Sequence, residues 1–93
     1  MKAWLYILRC ADSSYYIGHT TNLSLRLAQH QAGEGGAYTR CRLPVELVYS
    51  QEFMSEHEAF LRERQVKRWS RAKKEALVAG DLSSLKVLSK SRK

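Results

Sequence analysis

Ala3-Trp4-Leu5-Tyr6-Ile7-Leu8-Arg9 and, after a short interval, Tyr15-Tyr16-Ile17-Gly18 are the stretches that decide the fold. The first alternates and is rich in aromatic and β-branched residues, so it reads as a strand. Trp4, Tyr6 and Leu8 share one face of it, and Leu5 and Ile7 the other. Ala11-Asp12-Ser13-Ser14 is a turn cluster. Tyr15-Tyr16-Ile17 reads as a second strand ended by Gly18, and the two strands form an antiparallel hairpin.

Outward from this hairpin, Thr20-Thr21-Asn22 offers N-caps for a helix from about Leu23 to Gln31, with Gly33 past its end. Gly33–Gly36 and Leu43-Pro44 bracket a loop carrying Tyr38, Arg40 and Arg42. Val45–Phe53 has the pattern of a third strand. Ser55-Glu56-His57-Glu58 has the capping-box form, so a helix starts there and runs to about Trp69. Ser70 caps a further helix that ends before Gly80. The order β-β-α-β-α-α describes an α+β domain with a small three-stranded antiparallel sheet flanked by helices. It occupies 1–80, and 81–93 form a basic, Ser/Lys-rich tail expected to be partly disordered.

The chain has 93 residues, enough for one domain with a small core. No apolar run approaches the ~18–20 residues that span a bilayer, and the N-terminus reads as a strand rather than a signal peptide. Cys10 and Cys41 are too few for a disulfide scaffold and too far apart for a metal clip, which fits a reducing cytoplasm and no membrane. Sixteen Lys and Arg against nine Asp and Glu give a net charge of +7. That balance favours a polyanionic partner, with nucleic acid ahead of a membrane surface. The excess gathers in Arg62, Arg64, Lys67, Arg68, Arg71, Lys73 and Lys74, relieved there only by Glu63. With Arg40 and Arg42 of the loop, these are the candidate nucleic-acid contacts.

Two helices place polar groups where apolar ones are expected. At about 100° per residue, Ala59, Phe60 and Val66 define the buried stripe of the helix after Ser55, and Glu63 falls between them. A carboxylate facing a core is costly unless it is paired, protonated or bound to metal. Glu63 therefore reads either as a buried acid paired with an arginine or as a metal ligand or acid–base group. In the helix from Leu23, Arg26 and His30 sit one turn apart along the edge of the Leu23/Leu27 stripe. Convergence of these groups with the phenols of Tyr6 and Tyr16 would place a cation, a carboxylate and two hydroxyls in one pocket. Such a set suits phosphodiester chemistry, because arginine stabilises the charge gathered in the transition state and a carboxylate can hold Mg²⁺ or Mn²⁺. With one inward carboxylate, a single ion is expected.

Trp4-Leu5-Tyr6 and, ten residues on, Tyr16-Ile17-Gly18 resemble the paired signature of the GIY-YIG nuclease superfamily. Only the tyrosine of the first half is kept, while the second half is intact. Arg26 follows Tyr16 by ten residues, His30 comes one turn later, and Glu58-Ala59-Phe60-Leu61-Arg62-Glu63 is similar to the family's glutamate helix. Tyr38-Thr39-Arg40 and Val66-Lys67-Arg68-Trp69-Ser70-Arg71 are similar to small stand-alone bacterial members. The resemblance implies a one-metal endonuclease acting on DNA more readily than RNA. It makes Glu63 the ligand of Mg²⁺ or Mn²⁺ and Arg26 the phosphate-binding residue. Tyr16 is the preferred general base, with Tyr6 beside it and the two roles exchangeable. His19 would assist the base, and His30 would orient the phosphate or a tyrosine. One departure stands out: better-known relatives carry an Asn after the glutamate helix, whereas the only Asn here is Asn22. The competing reading keeps the fold without the chemistry, as a DNA- or RNA-binding or partner-recruiting module.

Overall fold

The computed structural model describes residues 1–81. The expected tail, 81–93, lies outside the described residues apart from Asp81. The elements are β1 (Ala3–Arg9), β2 (Tyr15–Thr20), α1 (Leu23–Gln31), α2 (Ala37–Arg40), β3 (Glu46–Phe53), α3 (Glu56–Lys67) and α4 (Arg71–Ala79). The strands form a three-stranded antiparallel sheet in the order β2-β1-β3. The α+β architecture expected from the sequence is the one observed.

β1 is central, and its alternation serves two cores at once. Leu5 and Ile7 pack with Ile17, Val66, Trp69 and Leu77 on the face covered by α3 and α4. Tyr6 and Leu8 pack with Cys10 and Val45, beside Leu23 and Leu27 of α1, on the other face. Ile7 thus lies opposite both Ile17 and Tyr49, and Tyr6 lies opposite Gly18. An irregularity between Ile7 and Leu8 shifts the β3 pairing from Tyr49 to Leu47. Such a bulge increases local twist and lets a short strand curl over its helices.

The helix starts are fixed locally. The side chains of Asn22, Ser55 and Ser70 accept hydrogen bonds from the backbone N–H groups of Leu25, Glu58 and Lys73. Each satisfies a donor that the first turn would otherwise leave unpaired. Asn22 is therefore a helix cap.

Three local expectations change. β2 does not stop at Gly18 but continues to Thr20, because pairing with β1 carries the strand through its glycine. The loop between α1 and β3 contains the short α2, whose one turn has no side-chain cap or amphipathic repeat to announce it. Phe60, expected in the buried stripe of α3, is 38% exposed. Ala59 and Val66 alone bury that side of the helix, and Phe60 sits on the shoulder toward β2.

Leu5 is fully buried at the centre of the sheet. Leu5→Ala should destabilise the domain by about 2–5 kcal/mol, a large share of what a small domain possesses. Urea titration followed by circular dichroism measures this, and a loss under about 1 kcal/mol would contradict the two-core description of β1.

Candidate active site

The Tyr6 hydroxyl of β1 meets His30 Nε2 of α1 at 2.9 Å, and His30 Nδ1 meets the Thr39 hydroxyl of α2 at 2.9 Å. His30 and Thr39 are entirely buried. Gly35 lies so close above the imidazole that a Cβ there would fall inside the ring's van der Waals envelope. This chain of contacts ties the sheet, α1 and the α2 loop together. Burial pushes the His30 pKa below its ordinary value of 6.5, and the Arg26 charge adds to the effect. His30 is therefore a neutral, enclosed ring with both nitrogens engaged. Of the two duties expected of it, orienting a tyrosine is the one its position allows; a buried ring cannot touch a phosphate.

The Tyr6 hydroxyl also crowds Gly18, where a Cβ would lie 2.6 Å from the phenol oxygen. The glycine of the Tyr16-Ile17-Gly18 motif is thus the space that lets the Tyr6 side chain cross β2. Tyr16, on the same face, lies 6.3 Å from the Tyr6 ring and 5.1 Å from the His30 ring, centroid to centroid. Its outer neighbour is Tyr38, at 5.9 Å.

Arg26 projects from α1 toward both phenols. One of its nitrogens donates to the Gly35 carbonyl at 3.1 Å and another to Gln29 at 3.2 Å. Its guanidinium is further stabilised by the Tyr6 hydroxyl, and also by Tyr16. Burial raises the Tyr6 pKa above 10.0, and this outweighs the opposing influence of the nearby Arg26 guanidinium; the neighbouring Tyr16 also pushes it upward. Tyr6 is consequently a poor proton acceptor, and Tyr16 is the more open phenol.

Glu63 reaches the site from the other face of the sheet. Its side chain is only 13% exposed, with Oε1 accepting from His19 Nδ1 and Oε2 lying 2.7 Å from Lys67 Nζ. Burial opposes its ionisation, but hydrogen bonds from Lys67 and His19 together prevail and hold the pKa below 4.5. Glu63 is thus neither a protonated acid nor the partner of an arginine. It is a carboxylate paired with the Lys67 ammonium and hydrogen-bonded by His19. The other ring nitrogen of His19 is 3.6 Å from Glu56, and its edge meets Phe60 at 5.7 Å. His19, Glu56, His57 and Phe60 line an open depression of about 340 Å³ beside the carboxylate.

The structure thus brings Tyr6, Tyr16, Arg26 and His30 together on one face and joins His19 to Glu63 on the other. Among the described residues, no cluster of three or more His, Cys, Asp or Glu could hold a metal ion. A divalent ion at Glu63 would have one protein ligand and otherwise water, a pattern that suits Mg²⁺ or Mn²⁺, and it would have to displace Lys67.

The basic candidates divide. Arg64 lies over Phe60 at 5.8 Å, on the shoulder it shares with Lys67 and Glu63. Arg62 and Lys73 stack instead on Trp69, at 4.9 and 4.2 Å from its ring centroid. Lys73 is only 6% exposed, with its ammonium over the indole where α3 turns into α4, so little of it faces outward as the expected phosphate contact would. Arg71 pairs with Glu75 and covers Tyr15. Arg42 is pinned by Asp12 and stacked on Tyr38 at 3.9 Å. Arg40 and Arg68 are exposed, and Lys74 is half-buried. Gly35 and Thr39 were missed by sequence reasoning; the run Gly33-Glu34-Gly35-Gly36 was the only signal that a backbone must approach something closely.

A small sheet flanked by helices, with a paired-tyrosine hairpin, an arginine helix and a glutamate helix, is a nuclease-type domain. The chain belongs to the GIY-YIG family: residues 2–76 match the family described as the GIY-YIG catalytic domain. It is 53% identical over 78 residues to a UPF0213 protein of Natronomonas pharaonis, covering 84% of this chain and 92% of that one. It is 50% identical over 78 residues to a UPF0213 protein of Streptococcus pneumoniae, covering 84% and 79%. Among solved structures it resembles the solution NMR structure of a UPF0213 protein from Bacillus halodurans, with a TM-score of 0.58 and 44% identity over 87% of this chain and 86% of that one. It also resembles that of an E. faecalis protein, with a TM-score of 0.59 and 33% identity over 86% and 85%.

The burial of neutral His30 makes stability depend on pH. Unfolded, its imidazole takes a proton as pH falls through 6.5, while the folded ring resists protonation until lower pH. The unfolded state therefore binds more protons in that window, and stability declines as pH falls. Glu63 and Asp12, whose pKa values are lowered, act only further down, below about 4.5 and 3.8. The midpoint of thermal unfolding should drop between pH 7.5 and 5.5, and His30→Gln should shrink that drop while lowering the midpoint at both. Identical pH dependence in the two proteins would contradict the assignment. Gly35→Ala, which presses on the same ring, should cost about 1–3 kcal/mol.

Proposed function

We propose that the chain is a metal-dependent endonuclease that hydrolyses phosphodiester bonds in DNA. The observation that carries this reading is the way one edge strand serves both halves of the site: β2 turns Tyr16 toward Tyr6 and His30 and turns His19 to the carboxylate of Glu63, while Arg26 stands beside both phenols.

In this reading Arg26 binds the scissile phosphate through its N–H donors and stabilises the charge that develops on it. Tyr16 positions the attacking water and accepts its proton, with the Arg26 cation near the phenol oxygen. Tyr6, held by His30, is a positioning residue that fixes Arg26. His19 orients Glu63 through the hydrogen bond to Oε1. Glu63 would hold one Mg²⁺ or Mn²⁺, which would supply Lewis-acid charge to the phosphodiester. Arg64, Lys67, Arg68 and Arg40 supply backbone contacts; if about four phosphates are neutralised, the log–log salt slope of binding is about −3 to −4.

A second reading is favoured by one observation: both oxygens of Glu63 already have protein partners, His19 and the Lys67 ammonium. On that reading the domain binds nucleic acid without cutting it. Cleavage of plasmid, single-stranded and branched DNA with Mg²⁺ or Mn²⁺ separates the two. Glu63→Gln and Arg26→Ala should each lower the rate about 10²-fold or more, and Tyr16→Phe should do the same with little change in binding. Undiminished cleavage by Glu63→Gln would remove the catalytic assignment. Salt-sensitive binding with no turnover on any substrate would establish the second reading.

A further inference from the structure

We propose that Lys67 is an exchangeable counter-ion: its ammonium holds Glu63 Oε2 in the free protein, yields it to a divalent cation, and then moves to the substrate phosphate. This rests on the metal-site reading above and adds a residue that gates it.

The geometry of α3 supports the exchange. Lys67 lies one turn after Glu63, with Nζ 2.7 Å from Oε2, while Oε1 is taken by His19. The two ends of the pair differ sharply in exposure: the Lys67 side chain is 51% exposed and the carboxylate 13%. The acid is fixed and the base is on a flexible tether in solvent. An i,i+4 pair with glutamate first is favourable but weak, shifting an equilibrium only by roughly two-fold. Lys67 can therefore leave at small cost, and its long stem lets the charge swing without moving the helix.

The same arrangement makes the competition matter. With no cluster of three metal-ligating side chains among the described residues, an ion at Glu63 has a single protein ligand. A one-carboxylate site is weak, so even a loosely held cation on one of its two oxygens lowers its occupancy by a measurable amount. Once displaced, the ammonium stands beside Arg64 on the shoulder of α3 that carries Glu63, where an anionic backbone would pass. Metal entry and phosphate binding would then be coupled, because Lys67 freed from Glu63 carries the charge that a phosphate can take up.

The test uses the full chain and two readouts besides cleavage. Mn²⁺ binding is followed by the loss of the free-ion paramagnetic resonance signal for wild type, Lys67→Met, Lys67→Arg and Glu63→Gln. Binding of a labelled single-stranded oligonucleotide is followed by anisotropy across a salt series with Mn²⁺ present. Lys67→Met should bind Mn²⁺ about three- to ten-fold more tightly than wild type, by losing both a competitor and a like charge. Its salt slope should be shallower by about one. Lys67→Arg should stay close to wild type in both. Glu63-dependent Mn²⁺ binding that Lys67→Met leaves unchanged would overturn the exchange while sparing the metal site. Tighter Mn²⁺ binding with an unchanged salt slope would overturn the transfer to phosphate. Absence of any Glu63-dependent Mn²⁺ binding would bring down the metal-site reading and the exchange with it.

Discussion

The hydrogen bond between the Tyr6 hydroxyl and His30 is the contact on which the candidate site depends. It is buried, so each partner would lose hydration on folding without gaining a substitute if the other were absent. It joins the central strand to the first helix, and through Thr39 it fixes the loop that supplies the Gly35 carbonyl to Arg26. One polar chain thus sets the height of α1 over the sheet, the direction of its arginine and the path of the loop. The glycines at 18 and 35 leave the space this requires, one beside the phenol and the other above the imidazole.

The second half of the site is assembled on the opposite face, and the edge strand connects the two. Along β2 the side chains alternate, so Tyr16 and Gly18 belong with Tyr6 while His19 turns to Glu63. A segment of a few residues therefore addresses both helices. The short sheet makes this possible, since adjacent residues of one strand face its two sides.

Much of this was legible in the sequence, and the legible part shares a physical character. The β1 alternation, the three capping residues and the glycine after α4 are local signals, and each appears where expected. The chemistry-bearing side chains were legible because they broke the apolar pattern of their helices: Glu63, Arg26 and His30 stood where hydrophobic residues belong. Their partners were not legible, because Thr39 and Gly35 are chosen by tertiary approach and carry no periodic mark. Glu63 was weighed against an arginine partner, yet it found Lys67 within its own helix and His19 from a strand edge. Phe60 and Lys73 exchanged their expected places, the aromatic ring half in water and the ammonium against an indole, since helix periodicity gives an angle but not the shape of the neighbour. α2 is a single turn, too short for any period to reveal.

The position of β2 at the border of the sheet has a consequence for motion. Among the described residues it is hydrogen-bonded along one side only, to β1, whereas β1 is held on both. Border strands open at lower free energy than central ones, so the amide protons of Tyr15–Thr20 should exchange with deuterium sooner than those of Leu5–Leu8. When that strand lifts, Tyr16 and His19 depart together, and the phenol and carboxylate halves of the site separate as Ile17 leaves the core under α3 and α4. Such a domain would lose its function in a sub-global opening, well before the cooperative loss of its fold.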